Sequence, residues 1–291
     1  MWPRPFHLAS EGARGSGAGR AKPRQRLAAP QIDFAALNER KGFYYRVLGE
    51  LIEAGVFELD HRVLVVAGGP ADAEAFRAHG FTDVTVSNLD ERMSDVGGYG
   101  WVRQDAEDLD LPDESFDWVV VSAGLHHCRF PHRGLLEMMR VARHGALALE
   151  ARDSLLTRAA VRLGVTDEYE LGAVAAHDFR AGGVRNTPTP NYVYRWTERE
   201  VEKTVASAAP HVRQRILMFH EFELPLVVVR RSWRPLMRIV EPVARLLVRI
   251  LPSQANLLAF AVLKPGELHP WMTTKDEPDT AWITRRLGGP S

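Results

Sequence analysis

Two periodicities alternate along the chain from residue 34 onward. Phe34, Leu37, Tyr44, Tyr45, Val47, Leu48 and Leu51 recur at helical spacing up to Gly55 and predict an amphipathic helix. Arg62-Val63-Leu64-Val65-Val66 is then a short apolar run ending in a Gly-Gly-Pro turn, the pattern of a buried parallel strand. Residues 71–79 predict a helix closed by Gly80. Val84-Thr85-Val86-Ser87, Trp101-Val102-Arg103 and the long run from Phe116 to Ser122 predict three further strands. A helix follows from Pro131, a favoured first helical residue, to Val141, and Gly145 to Glu150 predicts a fifth strand. Strands and helices alternating in this way make βαβ units and a parallel sheet, with ligands bound beyond the carboxyl ends of the strands.

The rhythm is lost over 151–195, where Gly182-Gly183, Thr187-Pro188-Thr189-Pro190 and the aromatics Tyr192, Tyr194 and Trp196 stand. This stretch reads as an insertion that forms a lid over the ligand edge. Thr197 predicts a helix start, with Glu198 and Glu200 in its first turn. Residues 213–222 and 256–264 predict two late strands, separated by an amphipathic helical insertion over 230–251. In that insertion Arg234, Arg238, Arg245 and Arg249 fall within about 60° of one another at roughly 100° per residue, with Leu, Ile, Val and Met around the rest. The basic stripe beside a wide apolar arc fits a membrane surface or a protein partner, or a solvated face of a helix packed on the sheet. Pro235 and Pro242 are expected to break it into pieces.

Composition narrows the class. The 291 residues are 45% hydrophobic and 25% charged, figures of a soluble globular protein. Cys128 is the single cysteine, which excludes a disulfide scaffold and a zinc site of several cysteines. No run approaches the ~18 apolar residues of a membrane span, and no secretory leader is visible, so a cytoplasmic location is expected. Lys plus Arg and Asp plus Glu are 37 each, and this neutrality argues against a nucleic-acid partner. The balance is uneven along the chain. Residues 1–30 hold six basic residues and one acid, Glu11, in a Gly-, Pro- and Ala-rich stretch expected to be a disordered basic tail, leaving 31–291 as the folded domain.

The candidate chemistry lies at the strand ends. Ala67-Gly68-Gly69-Pro70-Ala71 supplies a tight turn that lets the backbone approach a ligand, before a helix N-terminus that favours a carboxylate. Asn88 and Asp90 follow the second strand, where a group for ribose hydroxyls is needed. A carboxylate at Asp105 suits an adenine amine, with the Ala106 amide facing a ring nitrogen. His126 and His127 follow the fourth strand, and imidazoles of pKa near 6.5 are candidate catalytic bases. Arg152 either clamps an anionic substrate or pairs with Asp153 or Glu150. Asn191, Tyr192 and Tyr194 suit a sugar or a planar ring, or else pack among the lid's own aromatics. No metal site is expected, because adjacent residues at one strand end do not readily converge on an ion.

The series from Val63 to Glu150 resembles the class I S-adenosylmethionine-dependent methyltransferases of small molecules. The likeness rests on Asp105-Ala106-Glu107, on Leu111-Pro112-Asp113-Glu114-Ser115-Phe116-Asp117, and on Leu125-His126-His127 with the helix Leu135 to Val141 behind them. It covers close to one third of the chain. It implies a Rossmann-like, seven-stranded, mostly parallel sheet with helices on both faces, the last strand antiparallel. It also implies that Ala67, Gly68 and Gly69 line the methionine part of S-adenosylmethionine, that Asn88 holds the ribose, with Asp90 as the alternative, and that Asp105 with Ala106 holds the adenine; Leu89 and Ser122 are further candidates for the cofactor site. The chain departs from the family at Val65, where an acid is usual, at Ala67 and Ala71, where glycines are usual, and at Asn88, where Asp or Glu is usual. The resulting expectation is a methyltransferase acting on a small polar acceptor such as a saccharide. The alternative is a non-catalytic binding or scaffolding protein that keeps the fold with an eroded cofactor loop.

Overall fold

The computed structural model describes residues 34–223 and 232–288. The basic tail of 1–30 and the first residues of the 230–251 insertion lie outside them. The elements run α1 (Phe34–Glu53), β1 (Val63–Val65), α2 (Pro70–Ala78), β2 (Val84–Asn88), β3 (Gly100–Arg103), β4 (Phe116–Ser122), α3 (Pro131–Val141) and β5 (Ala142–Ala151). Then come α4 (Leu155–Arg162), α5 (Leu171–Ala175), α6 (Glu198–Ala208), β6 (Val212–Glu221), α7 (Arg234–Ile250), β7 (Leu257–Leu268) and α8 (Thr280–Arg286).

The strands form one seven-stranded sheet in the order β3-β2-β1-β4-β5-β7-β6. Pairings from β3 through β5 are parallel, and β7 runs antiparallel to both β5 and β6. The order turns back at β1 and β4, the switch point where open α/β sheets bind ligands.

Both faces of the sheet are covered, which is why its central strands read as unbroken apolar runs. On one face Leu64, Val66, Val119, Val121, Ala146 and Phe260 meet Leu135 and Met138 of α3 and Val201 and Val205 of α6. On the other Val63, Val65, Trp118, Val120 and Leu147 meet Val47, Leu48 and Leu51 of α1 and Phe76 of α2. Thr197 caps α6 as its sequence predicts, its side chain accepting from Glu200 N.

Two expectations about helices are corrected. The first helix carries a non-helical residue inside it, Gly42, at φ 80°. The basic–apolar insertion is one helix, α7, not separate pieces. Pro235 stands in its first turn, where a missing N–H breaks no bond. Pro242 lies inside the helix, and the chain remains helical on both sides of it.

Candidate active site

β1 and β4 leave the sheet through two alanines in the left-handed region, Ala67 and Ala123, each at φ 51°. Alanine replaces glycine without strain where φ stays negative, and that condition is not met here: Ala67 itself carries the left-handed turn. Left-handed backbone costs an L-residue about 1–2 kcal/mol, and such strain gathers where a site needs a particular chain path. Gly68 follows with no room for a side chain: a Cβ there would lie 2.6 Å from Val65 Cγ1 and 3.1 Å from Val86 Cγ1.

Side chains beneath the loop brace it. Asn88 Nδ2 donates to Gly68 O at 2.8 Å, and Asn88 Oδ1 accepts from Asp90 N at 2.9 Å. Both ends of this amide thus serve the backbone, a different role from the free ribose-binding group expected at 88. Asp72 accepts from Gly69 N at 2.9 Å. Asp90 is held by Arg92 at 2.6 Å, and hydrogen bonding to Arg92 keeps its carboxyl below the usual range.

A cavity of about 430 Å³ opens beyond these strand ends. Ala67, Gly68, Gly69, Asn88, Leu89, Asp90, Asp105, Ala106 and His127 line it, so the predicted loop, turn and acidic phrase converge there with one of the two histidines. The insertion supplies the roof through Glu170, Ala173, His177, Gly182, Gly183, Arg185 and Asn186. Arg185 pairs with Asp105 Oδ2, and Asp105 Oδ1 accepts from Glu107 N at 3.1 Å. A Cβ on Gly183 would strike the Thr189 carbonyl, so this turn of the lid closes only with glycine.

The histidines stand on a 3-10 turn, Leu125–His127, organised by Glu150 at the end of β5. One oxygen of this buried carboxylate accepts from Gly124 N at 2.9 Å and Leu125 N at 2.7 Å, and the other faces His126 Nδ1 at 3.0 Å. Glu170 approaches from the lid, with Oε2 at 3.6 Å from His126 Nε2 and 3.3 Å from His127 Nε2. Burial disfavours a charged His126, but its bonds to Glu150 and Glu170 outweigh this and push its pKa up to about 10. Glu170 is opposed by burial and brought down to about 2 by His126. Burial, aided by the charge on His126, lowers the pKa of His127. The two imidazoles therefore divide: the environment of His126, behind the cavity wall, favours its protonated form, and that of His127, which lines the cavity, favours the neutral one.

The ligating atoms of His126, His127 and Glu170 lie within 4.8 Å of one another, the one such grouping among the described residues. Adjacent histidines thus do converge, contrary to the sequence-based expectation, because the 3-10 turn brings their rings to a 4.5 Å centroid separation and the lid adds the carboxylate. A charged His126 between two carboxylates satisfies this set as an ion pair, which competes with ligation.

Other predicted residues lie elsewhere. Ser122 is in the β4–β5 pairing and does not line the cavity. Arg152 is buried and fastened to Glu198 at 2.9 Å and to the Ser253 carbonyl, so its guanidinium serves a joint rather than a substrate. Asn191 is fully buried behind the lid, its carbonyl accepting from Glu170 N at 3.0 Å. Tyr194 donates to Glu200 and packs edge-on against Trp196. Tyr192 is half-exposed and edge-on to Tyr169. None of these four lines the cavity. Glu170 and His177, which do, were missed: single polar residues in a stretch without periodicity carry no signal of where they will face.

Residues 65–149 match the family model described as a methyltransferase domain. A demethylmenaquinone methyltransferase of Clavibacter sepedonicus is 34% identical over 92 residues, covering 29% of this chain and 38% of that protein. A ubiquinone/menaquinone biosynthesis C-methyltransferase, UbiE, of Proteus mirabilis is 33% identical over 112 residues, covering 34% of this chain and 45% of that protein. The chain thus spans less than half the length of these curated relatives. Among solved structures, the YcgJ protein of Bacillus subtilis aligns at 16% identity and a TM-score of 0.48, covering 76% of this chain and 100% of that one. The matched segment begins at the last residue of β1, takes in β2 through β4 and most of β5, and carries the strand-end loops that line the cavity; residues 65–149 are accordingly similar to methyltransferase domains, in agreement with the resemblance to the class I S-adenosylmethionine-dependent family.

Proposed function

We propose that this protein is an S-adenosylmethionine-dependent methyltransferase acting on a small acceptor. The observation that carries this reading is the cavity at the β1–β4 switch point, built from the matched segment and roofed by the lid. The cavity fits the cofactor on two counts. Its volume is that of a small-molecule site. Its lining carries Asp72, Asp90, Asp105 and Glu170 against one arginine, Arg185, which suits a ligand bearing a sulfonium and an ammonium group.

In this reading Ala67, Gly68 and Gly69 lie along the methionine part, Leu89 and Asp90 border the ribose, and Asp105 with Ala106 meets the adenine. The bound cofactor supplies an activated methyl group on a good leaving group. The chain aligns the acceptor, excludes water beneath the lid, and accepts the acceptor's proton at His127 Nδ1, with Glu170 orienting that imidazole through Nε2–H. His126 holds Glu170 in place.

The names of the relatives favour a quinone-type ring over the saccharide expected from sequence. One feature speaks for the non-catalytic alternative: Arg185 already occupies a carboxylate oxygen of Asp105. Calorimetric titration of the full chain with S-adenosylmethionine and S-adenosylhomocysteine decides between them. Binding of both, weakened by Asp105→Ala, supports the enzyme reading; no binding at millimolar ligand overturns it.

A further inference from the structure

α7 leaves most of its apolar side exposed. Ala244 and Val248 are buried and pack with Phe222 and Ala255. Leu236, Ile239, Val240, Val243, Leu246, Leu247, Ile250 and Leu251 all stand exposed, Ile239 and Ile250 each at 71%. At roughly 100° per residue these eight fall in one arc of about 140°, beside the buried stripe. Arg234, Glu241, Arg245 and Arg249 share the opposite face, and Glu241 pairs with Arg245 at 2.9 Å. The apolar arc therefore carries no charge of its own and has a predominantly basic face behind it.

We propose that α7 is an interfacial helix that lies flat on an anionic bilayer surface. A large apolar arc, an arginine-bearing polar face and low mean hydropathy are the marks of a helix that rests in the headgroup boundary. It does not cross: no described helix is long and apolar enough to do so. The eight exposed residues of the arc are all aliphatic, with Trp233 half-buried at the helix N-cap on the same side, whereas the centres of protein interfaces are enriched in aromatic residues. It is also broader than the seam of a two-helix coiled coil. The basic face matches the negative potential of a membrane containing acidic phospholipids.

The helix is joined to the lid. α7 runs into the 3-10 turn Pro252–Gln254, whose Ser253 carbonyl accepts from Arg152 and whose Gln254 carbonyl accepts from Ser154 Oγ at 3.5 Å. Ser154 is the N-cap of α4, the first helix of the insertion, and α4 adds Leu155 and Leu163 to the exposed apolar residues.

The test is flotation of the full chain with phosphatidylcholine vesicles, with and without phosphatidylglycerol. It compares the wild type, Ile239→Gln/Ile250→Gln and Arg249→Gln, with circular dichroism confirming that each is folded. The expected result is flotation of the wild type with the anionic vesicles, weakened by salt. The double substitution lowers vesicle affinity about tenfold or more, and Arg249→Gln lowers it less. Absence of wild-type flotation, or equal flotation of the double variant, overturns the proposal. So does a wild-type dimer in light scattering that the double variant dissolves without any vesicle binding, since a second copy would then cover the arc. Each outcome is independent of methyl transfer.

Discussion

At the scale of single residues, neighbouring groups of the same type are set to different tasks by what surrounds them. His126 and His127 are adjacent in sequence, yet two carboxylates raise the pKa of the first while burial and the neighbouring His126 lower that of the second. A base works while unprotonated, and the pKa of His127 lies below 6.5. The acid limb of kcat/KM is therefore expected below pH 6.5. His127→Gln is expected to lower kcat by about 10²- to 10⁴-fold with little change in cofactor affinity, measured by initial rates and calorimetry. Gly68→Ala forces a Cβ against the stiff side chains of Val65 and Val86 and is expected to cost about 1–3 kcal/mol in urea unfolding. Ala67→Gly relieves the left-handed turn and is expected to add about 0.5 kcal/mol, the strain released exceeding the gain in unfolded-chain entropy. The lining residues of the β1 loop, the β2 turn and Asp105 were legible because each follows a strand whose end fixes its place. Glu170 was not, because it reaches the site through an insertion whose path depends on tertiary packing.

At the scale of elements, strands buried on both faces and helices with one apolar side declare themselves through period. Phe116–Ser122 and Pro131–Val141 agree with their predicted bounds to the residue. The short helices α4 and α5 have too few turns to show a period. The fate of Arg152 was equally hidden, since its partner Glu198 lies 46 positions away and Ser253 lies 101 away. This joint ties β5 to α6 and to the turn after α7. Arg152→Met removes one of the two cations beside Glu198, leaving His220, and is expected to cost about 1–3 kcal/mol. Burial works against ionisation of Glu198, but Arg152 and His220 bring its pKa from 4.5 down to about 2. A depressed carboxylate stabilises fully above its unfolded pKa and loses that contribution as pH falls toward its folded one. Glu198→Gln should therefore flatten the fall of stability between about pH 4.5 and 2, followed by acid unfolding. The lid rests on weaker ties. Arg185 is half-exposed in its pair with Asp105, and Arg185→Ala is expected to speed limited proteolysis of the lid about two- to fivefold.

At the scale of the whole molecule, ligand binding and folding are linked through the same strand ends. S-adenosylhomocysteine at a hundredfold excess over its Kd is expected to add about 2.7 kcal/mol, and so to raise Tm by about 5–10 °C in a thermal scan. The order of the sheet has a consequence for how the chain is made. β7 is the strand synthesised last, yet it sits inside the sheet, between β5 and β6. Until residue 268 has left the ribosome, β5 presents an apolar edge with no neighbour, and β6 has no strand to pair with. The nucleotide-type half, β1 to β5, can assemble as it emerges, but the sheet closes only at the end of translation. Nascent chains stalled before residue 257 are therefore the aggregation-prone form of this protein, because their open β5 edge is a template for strand pairing with other chains.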